Sequence, residues 1–120
     1  KVQITIITDE AEVVKRLEEA RRIYRERDER VKGMTDEAVD NFFSCTLCQS
    51  FAPNHVCVVT PERTGLCGGI NWLDGKAGYE ISPAGANQPI EKGVGKEGVF
   101  ENVNKFIKEA SHNTLETFNL

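Results

Sequence analysis

The stretch Cys45-Thr46-Leu47-Cys48-Gln49-Ser50-Phe51-Ala52-Pro53-Asn54-His55-Val56-Cys57, continued through Gly65-Leu66-Cys67-Gly68-Gly69, holds all four cysteines of the chain. Two residues separate the first pair, so both sulfurs reach one centre from a single turn. The later gaps, eight and nine residues long, let the backbone wrap round and bring two more ligands from other directions. Pro53, Pro61, Gly65, Gly68 and Gly69 punctuate the segment, so little regular structure is expected beyond one short strand at 55–60. Four thiolates suit either a tetrahedral zinc ion or an iron–sulfur cluster. Structural zinc sites usually bring two close cysteine pairs, whereas Cys57 and Cys67 are spread apart. A cluster is larger than one ion and draws its ligands from a wider shell of backbone. Gly68 and Gly69 would let main-chain amides approach its sulfides, although a simple turn explains them as well. The spacing favours a cluster and leaves zinc open. A disulfide framework is a weaker third reading, because Cys-x-x-Cys is a chelate spacing and the cytosol keeps thiols reduced.

Upstream, residues 2–7 are β-branched and apolar with Gln3 and Thr5 interleaved, the pattern of a largely buried strand. Asp9 and Glu12 form a D-x-x-E start signal for a helix. Val13, Leu17, Ala20 and Tyr24 recur on one side of it, and Gly33 stands where it should end. The opposite face mixes Lys, Arg and Glu, which reads as a solvated surface laced with i,i+4 pairs. A second short helix is expected from Thr35 or Asp36 to about Phe43, delivering the chain into Cys45. Downstream, 70–78 reads as a short helix or loop, 82–98 as a long loop, and 99–111 as an amphipathic helix. A strand-like alternation closes the chain at 114–118. No internal repeat is present.

Composition narrows the function. A chain of 120 residues with 39% hydrophobic and 28% charged residues can fold. A net charge of −4 without a basic stripe argues against nucleic acid as a partner. No run approaches the roughly 20 apolar residues that span a bilayer, and no signal-peptide pattern leads the sequence, so no membrane role and a cytoplasmic location are expected. The chain starts without Met inside a strand-like run and stops after another, so a segment of a longer polypeptide is expected.

The run from Cys45 to Arg63, with its continuation Gly65-Leu66-Cys67-Gly68-Gly69-Ile70-Asn71-Trp72-Leu73-Asp74-Gly75, resembles the A-cluster segment of acetyl-CoA synthase. That family is the β subunit of the CO dehydrogenase/acetyl-CoA synthase complex of anaerobic bacteria and archaea. The upstream strand and charged helix are also similar to the family's preceding region, so the likeness covers nearly the whole chain. It implies that Cys45, Cys48, Cys57 and Cys67 hold a 4Fe–4S cluster and that Cys48 bridges to a proximal nickel. It implies an aromatic wall at Phe51 beside that nickel, where the residue alone would read as core packing. The implied reaction joins CO, a corrinoid-borne methyl group and coenzyme A into acetyl-CoA. The implied partners are the CO dehydrogenase subunit and a corrinoid iron–sulfur protein. A distal nickel in this family occupies a square-planar Cys-Gly-Cys site. The present sequence has no Cys-Gly-Cys and no cysteine after Cys67, so these residues supply the iron–sulfur half of such a site and not the dinickel half.

The remaining candidates carry less. His55 sits inside the cysteine loop, where a hydrogen-bonding or surface histidine is the leading reading and ligation a lesser one. His112 reads as a helix-end partner. Arg63 and Lys76 read first as ordinary exposed cations, with contact to an anionic substrate such as coenzyme A as the lesser reading. Gly93-Val94-Gly95-Lys96 is not a phosphate loop. The expected fold is α+β: a strand and long helix, a loop-rich four-cysteine module, then a helix and strand. Residues 1–40 are expected to end a preceding domain and 41–120 to form the metal module. Two other functions stay open: an electron-transfer or structural 4Fe–4S domain, and a zinc-stabilised module.

Overall fold

The structure, a computed structural model, describes residues 3–96 and 99–115. The chain divides into two units, Lys1–Lys32 and Gly33–Leu120.

The first unit is one helix, α1 (Glu10–Glu29). Asp9 caps it, its carboxylate accepting from the Glu12 amide at 3.0 Å. The carboxylate of Glu12 binds Arg16 at 2.9 Å. Arg22 and Glu26 form a second exposed i,i+4 pair at 2.9 Å, and such pairs add little to stability. The helix ends by tightening: Arg30, Val31 and Lys32 donate to carbonyls three residues back, and Gly33 stops the turns at φ +85°. The expected core-facing stripe is half exposed, with Leu17 at 46% and Tyr24 at 47%. Among the described residues, this unit has no second element against which to bury it. The strand expected at 2–7 is absent over its described residues, where Ile4 and Ile6 are exposed. Alternation alone does not make a strand; a ladder partner does, and none pairs there among the described residues.

The second unit is α+β. β1 (Asn41–Cys45) lies at the centre of an antiparallel sheet between β2 (Cys57–Val59) and β3 (Pro89–Glu91). The helix expected up to Phe43 is instead a 3₁₀ turn at Asp36–Ala38 followed by β1. The reason lies in Phe42 and Phe43, both buried but on opposite faces. Phe42 joins Val58, Ile90, Val103 and Ile107, while Phe43 joins Cys45, Val59 and Trp72. A strand covered on both faces reads as a continuous apolar run, which periodicity alone does not distinguish from a buried helix.

α2 (Trp72–Ile81) covers the Phe43 face and α3 (Glu101–Ala110) the Phe42 face. Trp72 meets Phe43 edge-on, centroids 5.6 Å apart, and its indole N–H donates to the Asn41 carbonyl at 3.0 Å. Gly75 allows this approach, since a Cβ there would lie 2.9 Å from the Phe43 Cβ. A full capping box starts α2: the Asp74 amide donates to Asn71 Oδ1 at 2.8 Å and the Asn71 amide to Asp74 Oδ2 at 3.0 Å. Asn71 is fully buried, so Asn71→Ala is expected to lower stability by about 1–2 kcal/mol in urea denaturation.

The expected loop at 82–98 contains two strands. β3 starts with Pro89 on the sheet edge, a position where a missing N–H is tolerated. β4 (Gly95–Lys96) pairs with β5 (Val99–Phe100), so Val99 precedes α3 rather than starting it. The strand expected at 114–118 lies mostly outside the described residues, and Thr114 and Leu115 join no ladder. No helix among the described residues is long and apolar enough to cross a membrane.

Candidate metal centre

Cys45 is the last residue of β1 and faces Cys57, the first residue of β2, directly across the ladder. Period-two alternation places both on the Phe43–Val59 side, towards α2. Cys48 follows in a 3₁₀ turn, Leu47–Ser50. Its carbonyl closes that turn by accepting from the amides of Phe51 at 3.1 Å and Ala52 at 2.8 Å. Cys67 lies in the loop before α2, held by bonds from the Gly65 amide to the Ile70 carbonyl and from the Gly68 amide to the Gly65 carbonyl, both 2.8 Å. The Gly69 amide donates to the Cys67 sulfur at 3.3 Å.

All four thiols are free. They grade from buried Cys45 through half-buried Cys48 and Cys57 to exposed Cys67. Burial pushes the Cys57 thiol up from its ordinary range, and charge on Cys45, Cys48 or Cys67 would push it further. The Leu66 amide, hydrogen-bonded to it, opposes that shift. Cys45, Cys48 and Cys67 thus all lie near enough to Cys57 for their charge to act on it. Among the described residues, no three His, Cys, Asp or Glu side chains converge as tightly as a single bound ion requires. A zinc ion with Zn–S bonds of about 2.3 Å draws its sulfurs close together. Thiols delivered from two strand ends, a turn and a loop could be gathered round a metal centre such as an iron–sulfur cluster.

The other predicted residues separate. Phe51 ends the turn after Cys48 and is 79% exposed, so it is not core packing. His55 is half-buried with Nε2 3.2 Å from the Cys57 sulfur. Arg63 shares a cavity of about 210 Å³ with His55, Cys57 and Leu66. Lys76 stands over the Trp72 ring at 5.7 Å, away from that cavity. His112, at φ +55°, pairs its Nδ1 with Asn54 Oδ1 at 3.0 Å rather than simply capping α3. One contributor escaped the sequence reading. Gln49 donates from Nε2 to the carbonyls of His55 at 3.1 Å and Ala110 at 2.8 Å, tying the cysteine loop to the end of α3. Only its place beside Cys48 pointed to it.

The family model for the C-terminal part of the ACS/CODH beta subunit matches residues 24–120. The chain belongs to that family. Among relatives of this ACS/CODH β-subunit segment, the carbon monoxide dehydrogenase/acetyl-CoA synthase subunit alpha of Moorella thermoacetica is 58% identical over 120 residues, covering 97% of this chain. The acetyl-CoA decarbonylase/synthase complex subunit beta of Methanopyrus kandleri is 52% identical over 118 residues and 96% of the chain. The complex subunit beta 2 of Methanocaldococcus jannaschii is 48% identical over 123 residues and all of it. The ACS/CODH segment spans only 16% of the Moorella protein's length, 25% of the Methanopyrus one and 26% of the Methanocaldococcus one.

Proposed function

We propose that this chain is the 4Fe–4S-binding part of an acetyl-CoA synthase, with Cys45, Cys48, Cys57 and Cys67 as the cluster ligands. The observation that carries it is the nearness of Cys45, Cys48 and Cys67 to Cys57, which faces Cys45 across the ladder, in a chain of the ACS/CODH β-subunit family. The whole protein would act in the cytoplasm with a CO dehydrogenase subunit and a corrinoid iron–sulfur protein. Its substrates would be CO, a methyl group and coenzyme A. When bound, a nickel–iron–sulfur centre supplies the metal at which CO and the methyl group combine.

This chain's residues hold and expose that centre. Cys45 and Cys57 fix two ligands on a rigid ladder, and the 3₁₀ turn carries half-buried Cys48 and ends at exposed Phe51. Cys48 would hold nickel as well as the cluster, and Phe51 would limit access to that metal. Two nickel ions would need donors beyond these four thiols, from elsewhere in the protein.

The test is metal analysis of the anaerobically purified protein, with iron, sulfide, nickel and zinc measured beside the visible spectrum. About four irons with matching sulfide and a broad band near roughly 400 nm support the reading. One zinc and no colour overturns it in favour of a zinc-stabilised module. A loaded cluster without nickel in the full-length protein favours an electron-transfer or structural role.

A further inference from the structure

We infer that His55 positions and tunes the metal centre by donating a hydrogen bond from Nε2–H to the sulfur of Cys57, raising the reduction potential of the bound cluster. This rests on the reading that the four cysteines hold a 4Fe–4S cluster. The imidazole Nε2 lies 3.2 Å from Cys57 Sγ, within range for a sulfur acceptor. The backbone that carries the ring is pinned at both ends. The His55 amide donates to the Ala52 carbonyl at 2.9 Å, and its carbonyl accepts from Gln49 at 3.1 Å. Gln49 is held in turn by the end of α3, through the Ala110 carbonyl. The ring lines the 210 Å³ cavity that Cys57 and Leu66 also line, and that setting favours electrostatic contacts.

A metal-bound thiolate has no proton and can only accept. In the loaded protein, Nε2 must therefore be the protonated nitrogen, and the contact has one direction. Cys57 then accepts from His55. Adding one electron from a chemical reductant increases the negative charge spread over the cluster and its sulfurs. The donor stabilises that form, so the potential rises. No bond forms or breaks in this step, and the proton stays on Nε2.

The experiment compares wild type, His55→Gln and His55→Leu as full-length protein purified without oxygen. Iron, sulfide and visible spectra come first, followed by a reductive titration read by electron paramagnetic resonance. With iron retained, His55→Leu is expected to show about a tenfold lower ratio of reduced to oxidised cluster at fixed potential, equivalent to about 59 mV for one electron. His55→Gln keeps an amide donor and falls between. A leucine variant that keeps its iron and titrates with wild type overturns the inference. Where leucine prevents loading, His55→Met, which also cannot donate, takes its place and must show the same shift. Failure of both apolar variants to load, with glutamine loading normally, supports the positioning role. Failure of all three variants to load overturns it. Wild type without iron and sulfide defeats the cluster reading itself, whatever the variants do.

Discussion

Cys57→Ser is expected to strip the chain of most of its iron while the fold survives. Cys57 opens β2 opposite Cys45, where no other described cysteine can reach without breaking the ladder. Its side chain is only half-buried, so the oxygen substitution removes a soft ligand at small cost to packing. Iron should fall from about four per chain to less than half of that, and the visible band with it, while far-ultraviolet circular dichroism stays unchanged. Cys67→Ser makes the comparison. Cys67 is exposed on a loop outside the sheet, and a ligand there should be lost with a smaller drop in iron. Equal loss at both positions would mean that the ladder gives Cys57 no special role. Full iron retention in Cys57→Ser would remove it from the ligand set.

Phe43→Ala has the other large expected effect, a loss of about 3–5 kcal/mol in urea or thermal unfolding. The ring is 5% exposed and packs edge-on against Trp72 at 5.6 Å and beside Tyr79 at 6.3 Å. Its Cβ sits against the bare backbone of Gly75, so α2 cannot simply sink into the hole. Phe51→Ala serves as the contrast, because that ring is 79% exposed. Its removal should change stability by no more than about 0.5 kcal/mol. If the two phenylalanines behaved alike, the division between the buried face and the presented one would be wrong.

Much of this arrangement was legible from residue order. Asp9 capped the first helix, and the amphipathic last helix turns Val103, Phe106, Ile107 and Ala110 inward, although it starts after Val99 and not with it. What was not legible depended on partners far along the chain. Phe42 and Phe43 sit next to each other in a stretch with helix-start signals, and only α2 and α3 on opposite sides make that stretch a strand. Pro89 read as loop because proline argues against strands, yet an edge position removes the objection. In the site, spacing located the four thiols but could not show that two of them face each other. Gln49 looked like an ordinary polar loop residue until its acceptors were known, and His55 stood out by its place in the cysteine loop but not by its partner. The apolar stripe of α1 shows the reverse error: helical periodicity was clear, but a pattern does not say what covers it.

The Cys45–Cys57 register has a consequence for how such a chain tolerates insertion and deletion. The distance between these two sulfurs is set by the ladder and not by the eleven intervening residues, so the loop can lengthen or shorten without disturbing the pair. Losing one residue inside Asn41–Cys45 is a different matter. Every later side chain of the strand would swap faces, turning Cys45 towards α3 and away from the other thiols. The strand itself should therefore keep its count, whereas a change of length in the loop leaves the Cys45–Cys57 pair in place and is felt at Gln49 and His55 instead.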